Sequence, residues 1–374
     1  MASAVAEAAL KVLIAGGGTG GHFFSGVAVG EAFHARSAET TVIFVGTRRG
    51  IEARIGPKEG LDVRFIDVSG LRGRGVIARL RALLQLPRAL LQSLSLLRRE
   101  QPDIVMGVGG YASGPVVLAA WLTGRCTGIV EQNSVAGTTN RFLGPFVKRI
   151  FVAFEAARAS FPGAKVHVTG NPIREGVVEL LTLDSTGTVG IGHRLKVLVV
   201  GGSQGARAIN DAMIEAAALL PPDLRQRFQI THQTGEADCE RVRAAYEVAQ
   251  VDAEVTPFID AMAEAYRTAD VVVCRAGALT VSELSISRRG SVLVPYPHAI
   301  DNHQQRNAEV LVEAGGGEMI LQEDLTGERL VETLSRLMAE PRKLQEMAWN
   351  AGSLARPQAA VEVVDEMYRA IGRP

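Results

Sequence analysis

A short aliphatic run that leads straight into a cluster of glycines and then into a helical pattern occurs twice in this chain, about half its length apart. No other feature restricts the fold as much. The first copy is Val12-Leu-Ile-Ala-Gly-Gly-Gly-Thr-Gly-Gly21 and the second is Val197-Leu-Val-Val-Gly-Gly-Ser-Gln-Gly-Ala206. One such strand–turn–helix opens one doubly wound α/β domain. Two of them predict two Rossmann-like domains facing across a cleft, and 374 residues suit two domains better than one. Further aliphatic runs at 42–45, 104–108, 128–130, 150–152, 228–231, 254–258, 271–274 and 291–294 alternate with helical patterns. That alternation implies parallel sheets with crossover helices. The turn residues Thr169-Gly170-Asn171-Pro172 place the boundary so that the domains span 1–168 and 169–374. The tail from residue 325 reads as helical; it either closes the second domain or packs back on the first.

Forty basic and forty acidic side chains give zero formal charge, which argues against a general nucleic-acid binder. Cys126, Cys239 and Cys274 are odd in number and widely spaced. They offer neither a metal motif nor a disulfide framework, as expected in a reducing cytoplasm. No D-x-D appears, so no metal site is expected, and no cofactor. The N-terminal ten residues lack the basic lead of a secretory signal, and no run of 18 apolar residues is present to span a bilayer.

The first loop matches G-x-G-x-x-G through Gly16, Gly18 and Gly21. Glycines let a backbone turn tightly and approach an anion at a helix N-terminus, although a tight turn with no ligand gives the same pattern. A dinucleotide reading wants an acidic residue after the second strand; Thr47-Arg48-Arg49 stands there, and Arg48 suits only a 2′-phosphate. In the second loop Ser203 adds a hydroxyl beside exposed amides, for a diphosphate or as a helix cap. A third element, Cys274-Arg-Ala-Gly-Ala-Leu-Thr-Val-Ser-Glu283, turns at Gly277 and starts a helix near Ala278. There Glu283 can accept both hydroxyls of a ribose, or simply complement the helix dipole. His22 follows the first loop, and the unperturbed pKa of an imidazole lies near neutrality, which suits a general base or an orienting group. Glu131, at a strand end, is the second candidate base, and Tyr111 is a third candidate that orders an acceptor or packs.

Taken with Ser69-Gly-Leu-Arg-Gly73, Gly109-Gly-Tyr-Ala-Ser-Gly-Pro115, Glu131-Gln-Asn133, Gly170-Asn-Pro-Ile-Arg174 and Asp301-Asn-His-Gln304, these loops resemble one family. It is the MurG family of N-acetylglucosaminyltransferases, which convert lipid I to lipid II. The resemblance runs in order to about residue 320 and implies a GT-B fold. It implies inverting transfer of GlcNAc from UDP-GlcNAc to the C4 hydroxyl of undecaprenyl-diphospho-MurNAc-pentapeptide, giving a β-1,4 link. On the matching positions it implies that Thr19, Gly20 and Gly21 lie beside the donor and that Asn133 contacts GlcNAc. Arg174, Ser203 and Gln204 then fall near the UDP diphosphate and nucleoside, and Ile259 near the uracil. Ala278, Leu279, Thr280, Val281, Ser282 and Glu283 wrap diphosphate and ribose, while Gln304, with Gln305 beside it, reaches the sugar hydroxyls. It also implies peripheral attachment to the cytoplasmic face of the bacterial inner membrane, with other cell-wall and division proteins as partners. One departure is Ser287-Arg-Arg-Gly290, where the family has small residues and a proline; a surface loop is expected there.

Between residues 72 and 99 lie seven arginines, no acid and many leucines. In a neutral chain this concentration suits an anionic membrane surface, though an amphipathic core helix gives the same composition. Pro87 is expected to split the segment, leaving 90–97 as core. The membrane role falls to Arg72, Arg74, Val76, Arg79, Leu80, Arg81 and Leu83. Three other readings compete: an NADP-dependent oxidoreductase, which leaves two loops unexplained; a UDP-sugar 2-epimerase on the same scaffold; and a membrane-recruited scaffold with decayed loops.

Overall fold

A computed structural model describes residues 9–68, 76–182, 194–202 and 204–373, with backbone alone at 76–84 and 180–182. The chain forms two compact units, Met1–Glu175 with Pro357–Pro374, and Gly176–Arg356. Thr169-Gly170-Asn171-Pro172 thus lies inside the first unit.

The first unit holds β1 (Lys11–Ala15), β2 (Thr41–Gly46), β3 (Val63–Phe65), β4 (Ile104–Gly107), β5 (Cys126–Glu131), β6 (Arg149–Val152) and β7 (Val166–Val168). They form one sheet in the order β3-β2-β1-β4-β5-β6-β7, every pair parallel. Side chains on a strand alternate between faces, so Leu13 and Ala15 enter one core while Val12 and Ile14 enter the other. Both faces are covered, which is why β1 reads as a continuous aliphatic run.

The second unit repeats the plan with β8 (Leu195–Val200), β9 (Phe228–Gln233), β10 (Asp252–Thr256), β11 (Val271–Cys274), β12 (Gly290–Leu293) and β13 (Gly317–Met319). Their order is β10-β9-β8-β11-β12-β13, again all parallel. β10 ends two residues before the expected 258 because Pro257 has no amide to continue the ladder. The three-residue strands β3, β7 and β13 are too short to show an aliphatic run.

In each unit the strand order reverses once, between β1 and β4 and between β8 and β11. Ligands of open α/β sheets bind at the carboxyl ends of the strands flanking such a reversal. The register sets Ala15 beside Gly107 and Val200 beside Cys274, so the glycine loops and the Cys274–Glu283 element fall on these two points.

The tail divides. Gly327–Ala339 and Pro341–Ser353 supply Leu330, Leu334, Leu337, Leu344 and Met347 to the second unit's core. Ala359–Ala370 instead belongs to the first unit, where Val363, Val364, Met367 and Tyr368 pack with Val12, Ile14 and Phe33. Tyr368 stacks on Phe33 at 6.1 Å, with the Arg36 guanidinium 4.3 Å from its ring.

Two sequence expectations need correction. Helix Val76–Glu100 runs unbroken through Pro87. The proline removes one intrahelical hydrogen bond, but Ala89, Ser93, Leu96 and Leu97 downstream are buried and hold the continuation in place, whereas Leu91 is exposed. Nor is 287–290 a surface loop. Arg288 caps a helix in the left-handed region (φ 51°), and Arg289 is buried, donating to the Arg267 carbonyl at 2.8 Å.

Candidate active site

At the first reversal, the turn after β1 and the turn after β4 touch backbone to backbone. Gly109 (φ +87°) and Gly110 (φ +81°) occupy conformations that side chains avoid. A Cβ on Gly109 would stand 2.8 Å from the His22 ring, and one on Gly110 would strike the Gly17 carbonyl. His22, half-buried in the first turn of helix Gly20–Arg36, therefore lies against the Gly109 backbone. Its Nδ1 is 3.1 Å from Gln132 Oε1, and Gln132 Nε2 donates to the Val108 carbonyl at 2.9 Å. Thr19 and Gly18 are exposed above it, Gly20 and Gly21 open the helix, and Tyr111 is 47% exposed at the β4 turn.

Beneath this loop is a residue the sequence did not single out. Glu52 is buried, and its carboxylate accepts from the Gly18 amide (2.9 Å), the Thr47 amide (2.7 Å) and the Thr47 hydroxyl (3.2 Å). Gly17, Gly46 and Gly50 close around it, each leaving no room for a Cβ. The anion position of the loop is thus filled by the chain's own carboxylate. That removes the phosphate site a dinucleotide needs here, and Arg48, the proposed 2′-phosphate partner, lies 5.3 Å from the Phe65 ring. Truncation to Glu52→Ala strands the Gly18 and Thr47 donors and should cost about 2–4 kcal/mol in urea unfolding, with Glu52→Gln losing less. Equal stability of wild type and Glu52→Ala would remove Glu52 from this structural role.

Glu131 is also buried and fully engaged. It accepts from the amides of Asn133 (3.0 Å) and Gly137 (2.9 Å) and from the side chains of Asn133 (3.3 Å) and Asn140 (2.9 Å). Its oxygens organise the 132–137 turn, and Asn133 sits on that turn half-buried. Arg174 forms ion pairs with Glu31 (2.9 Å) and Glu59 (3.2 Å) in the same unit.

At the second reversal the turn 201–206 follows β8. Ser203 lies outside the described residues, and Gln204 is exposed. Gln233, also not foreseen, ties this turn to the one after β10: its Nε2 donates to the Gly202 carbonyl at 2.9 Å and its Oε1 accepts from the Ile259 amide at 3.2 Å. Helix Ala278–Ser287 starts after Gly277 with no acidic residue in its first turn and no side-chain cap, so its dipole favours an anion. Leu279, Thr280 and Ser282 are half-buried on it, Ala278 and Val281 buried, and Ser282 donates to the Ala278 carbonyl at 3.0 Å. Glu283 accepts from the Tyr266 hydroxyl at 3.1 Å. Burial pushes its carboxyl up to about 7, against the lowering effect of that hydrogen bond. Gln304 Oε1 accepts from the Tyr296 amide at 2.9 Å, while Gln305 pairs with Asn302 and Glu309. Arg275 anchors the turn, donating to the Val294 and Pro295 carbonyls and to Gln322. Among the described residues no cluster of three or more His, Cys, Asp or Glu is arranged to hold a metal.

Residues 12–152 match the glycosyltransferase family 28 N-terminal domain and residues 196–363 the family 28 C-terminal domain. The chain is 49% identical to a UDP-N-acetylglucosamine–N-acetylmuramyl-(pentapeptide) pyrophosphoryl-undecaprenol N-acetylglucosamine transferase of Myxococcus xanthus, covering 95% of this chain and 92% of the relative. It is 47% identical to the enzyme of the same name from Anaeromyxobacter dehalogenans, covering 97% and 94%. Among solved structures, Acinetobacter baumannii MurG superposes with a TM-score of 0.78 at 33% identity, covering 96% of this chain and 99% of that one. UDP-GlcNAc 2-epimerase from Neisseria meningitidis, bound to UDP-GlcNAc, superposes with a TM-score of 0.65 at 13% identity, covering 96% and 100%, a likeness of fold alone.

Proposed function

The chain belongs to the UDP-N-acetylglucosamine–N-acetylmuramyl-(pentapeptide) pyrophosphoryl-undecaprenol N-acetylglucosamine transferases, with the GT-B fold, and from that membership we infer how its two units divide the reaction. The enzyme moves GlcNAc from UDP-GlcNAc to lipid I and makes lipid II for peptidoglycan. The observation that carries the division is the contrast between the two reversals. The first loop is closed by Glu52, whereas the second offers a helix N-terminus beside a poised carboxylate.

UDP is therefore assigned to the second unit. The 201–206 turn and the first turn of Ala278–Ser287 face the diphosphate, Glu283 takes the ribose hydroxyls, Ile259 lies at the uracil, and Gln304 at the sugar. In the first unit Thr19, Gly20, Gly21 and Asn133 serve the GlcNAc side, and His22 is the general base. The acceptor C4 oxygen attacks the anomeric carbon, its proton passes to His22, and the bond to the diphosphate breaks with inversion. Glu131 is set aside as base because its oxygens are spent on amides. The test is UDP release from UDP-GlcNAc with and without a lipid I analogue. Release that does not depend on the acceptor would sink the reading, as would thermal protection by NADP but not by UDP.

Attachment to the membrane is a second part of this reading. Among the described residues no helix is long and apolar enough to cross a bilayer. Helix Val76–Glu100 packs against Ser113–Leu122, which packs against Thr138–Leu143. These last two helices expose Trp121, Leu122 and Phe142, with Phe146 bridging the two aromatic rings. Arg72 and Arg74 lie outside the described residues; Val76, Arg79, Leu80, Arg81 and Leu83 fall on the helix backbone with side chains outside them. Arg72→Glu with Arg74→Glu should weaken binding to vesicles of anionic phospholipid by at least about tenfold, at roughly 1 kcal/mol per charge. Wild-type binding should fall as salt rises. Activity on a short-chain, water-soluble acceptor should persist. Undiminished vesicle binding would make the segment ordinary folded surface.

A further inference from the structure

We propose that Gln132 is a positioning residue that locks His22 in the tautomer with its proton on Nδ1 and its lone pair on Nε2. The inference rests on the reading of His22 as the base and adds the device that makes it one.

The argument is one of donors and acceptors. A neutral imidazole carries one proton on either nitrogen, and a neighbouring group chooses which. A glutamine side chain offers one acceptor oxygen and one donor nitrogen, and its orientation follows from its partners. Gln132 is buried, with its Nε2 2.9 Å from the Val108 carbonyl, which can only accept. The amide is therefore fixed with Oε1 towards His22 Nδ1, at 3.1 Å. An oxygen at that distance requires a proton on Nδ1. The backbone of Gln132 is held as well, its carbonyl accepting from Asn171 Nδ2 at 3.1 Å. Gly109 lies along the Nδ1–Cε1 edge of the ring, where a Cβ would come within 2.8 Å of both atoms, so a side chain at 109 would crowd this contact. The two buried carboxylates of these turns, Glu52 and Glu131, are each aimed at amide donors. A neutral amide thus holds the base, where a carboxylate would also have raised its affinity for a proton and kept it charged at neutral pH.

Nitrogen NMR of the full-length protein, labelled at histidine, tests this without a substitution. Assigned by comparison with His22→Ala, the neutral His22 ring should show a protonated Nδ1 and an unprotonated Nε2, the reverse of the tautomer free histidine prefers. Two variants extend the test. Gln132→Glu should move the acid limb of the kcat/KM–pH profile up by about one unit or more, because a carboxylate stabilises the imidazolium. Gln132→Met should lower kcat by about tenfold or more with donor KM unchanged, and its His22 should populate both tautomers. A proton on Nε2 in the wild type overturns the inference whatever the variants do. An acid limb unmoved in Gln132→Glu, where the limb is absent from His22→Ala, overturns it too. Full activity in His22→Ala, with Nδ1 protonated in the wild type, instead overturns the catalytic reading and leaves the tautomer assignment standing.

Discussion

The His22→Ala enzyme should turn over about 10²–10⁴-fold more slowly than wild type at saturating substrates, while its Kd for UDP-GlcNAc changes by less than about threefold. The imidazole belongs to the first unit's reversal, between the glycine turns after β1 and β4, and the UDP contacts are assigned to the second unit. Removing it takes away the proton acceptor, not the nucleotide's binding groups. Rapid-quench turnover combined with calorimetric donor binding separates the two effects. A loss below about tenfold would move proton removal to solvent, since Glu131 is held by four amide donors.

Glu283→Gln should do the opposite. It keeps an acceptor for the Tyr266 hydroxyl but loses the charge that two ribose hydroxyls would bind. Loss of a charge-assisted hydrogen bond costs roughly 1.5–3 kcal/mol, or about 10–150-fold in UDP affinity, with kcat at saturating donor changed far less. The pH dependence is a sharper test. With its carboxyl raised to about 7, Glu283 is partly protonated in the ligand-free protein near neutrality. Hydroxyl donors bind the ionised form, so UDP affinity should rise as pH increases towards 7, by up to about tenfold per unit, and level off above it. Stability follows the opposite sign. The folded chain holds this proton more tightly than the unfolded chain, so the contribution of Glu283 to stability falls as pH rises from about 4.5 to 7, against the rise contributed by buried His232, whose imidazole is pushed down to about 3. In Glu283→Gln the slope of UDP affinity should vanish, and the stability of the variant relative to wild type should rise with pH across that window. A UDP affinity that is flat in pH and unchanged by the substitution would take the ribose away from this residue.

Much of the fold is legible because fully covered parallel strands must be aliphatic on both faces. The runs at 12–15, 197–200 and 271–274 therefore stand out from any surface pattern, and glycine marks where each must turn. The motif Glu131-Gln-Asn133 was visible too, but its roles were not. Composition cannot tell a carboxylate turned inward to four amides from one turned to a substrate, nor show that the glutamine between the two named residues is the one that meets His22. Glu52 and Gln233 were invisible for a related reason. Each acts on backbone groups far away in sequence, and a single acidic or amide residue in a polar turn carries no periodic signal. Pro87 failed as a helix breaker because burial further along the helix outweighs one lost hydrogen bond.

The return of Ala359–Ala370 to the first unit sets the order in which the protein can be made. On the ribosome, domains fold largely as they emerge. Gly176–Arg356 is continuous, so it can close as soon as it has cleared the exit tunnel. The first unit is synthesised earlier but waits through the whole of that interval with the Val12, Ile14 and Phe33 side of its core uncovered. Val363, Met367 and Tyr368 then each add about 1.5–3 kcal/mol of burial. A chain that ends at residue 356 should therefore, once released from the ribosome, hold a protease-resistant second unit attached to a first unit that is cleaved readily, and supplying 357–374 as a separate peptide should restore its protection.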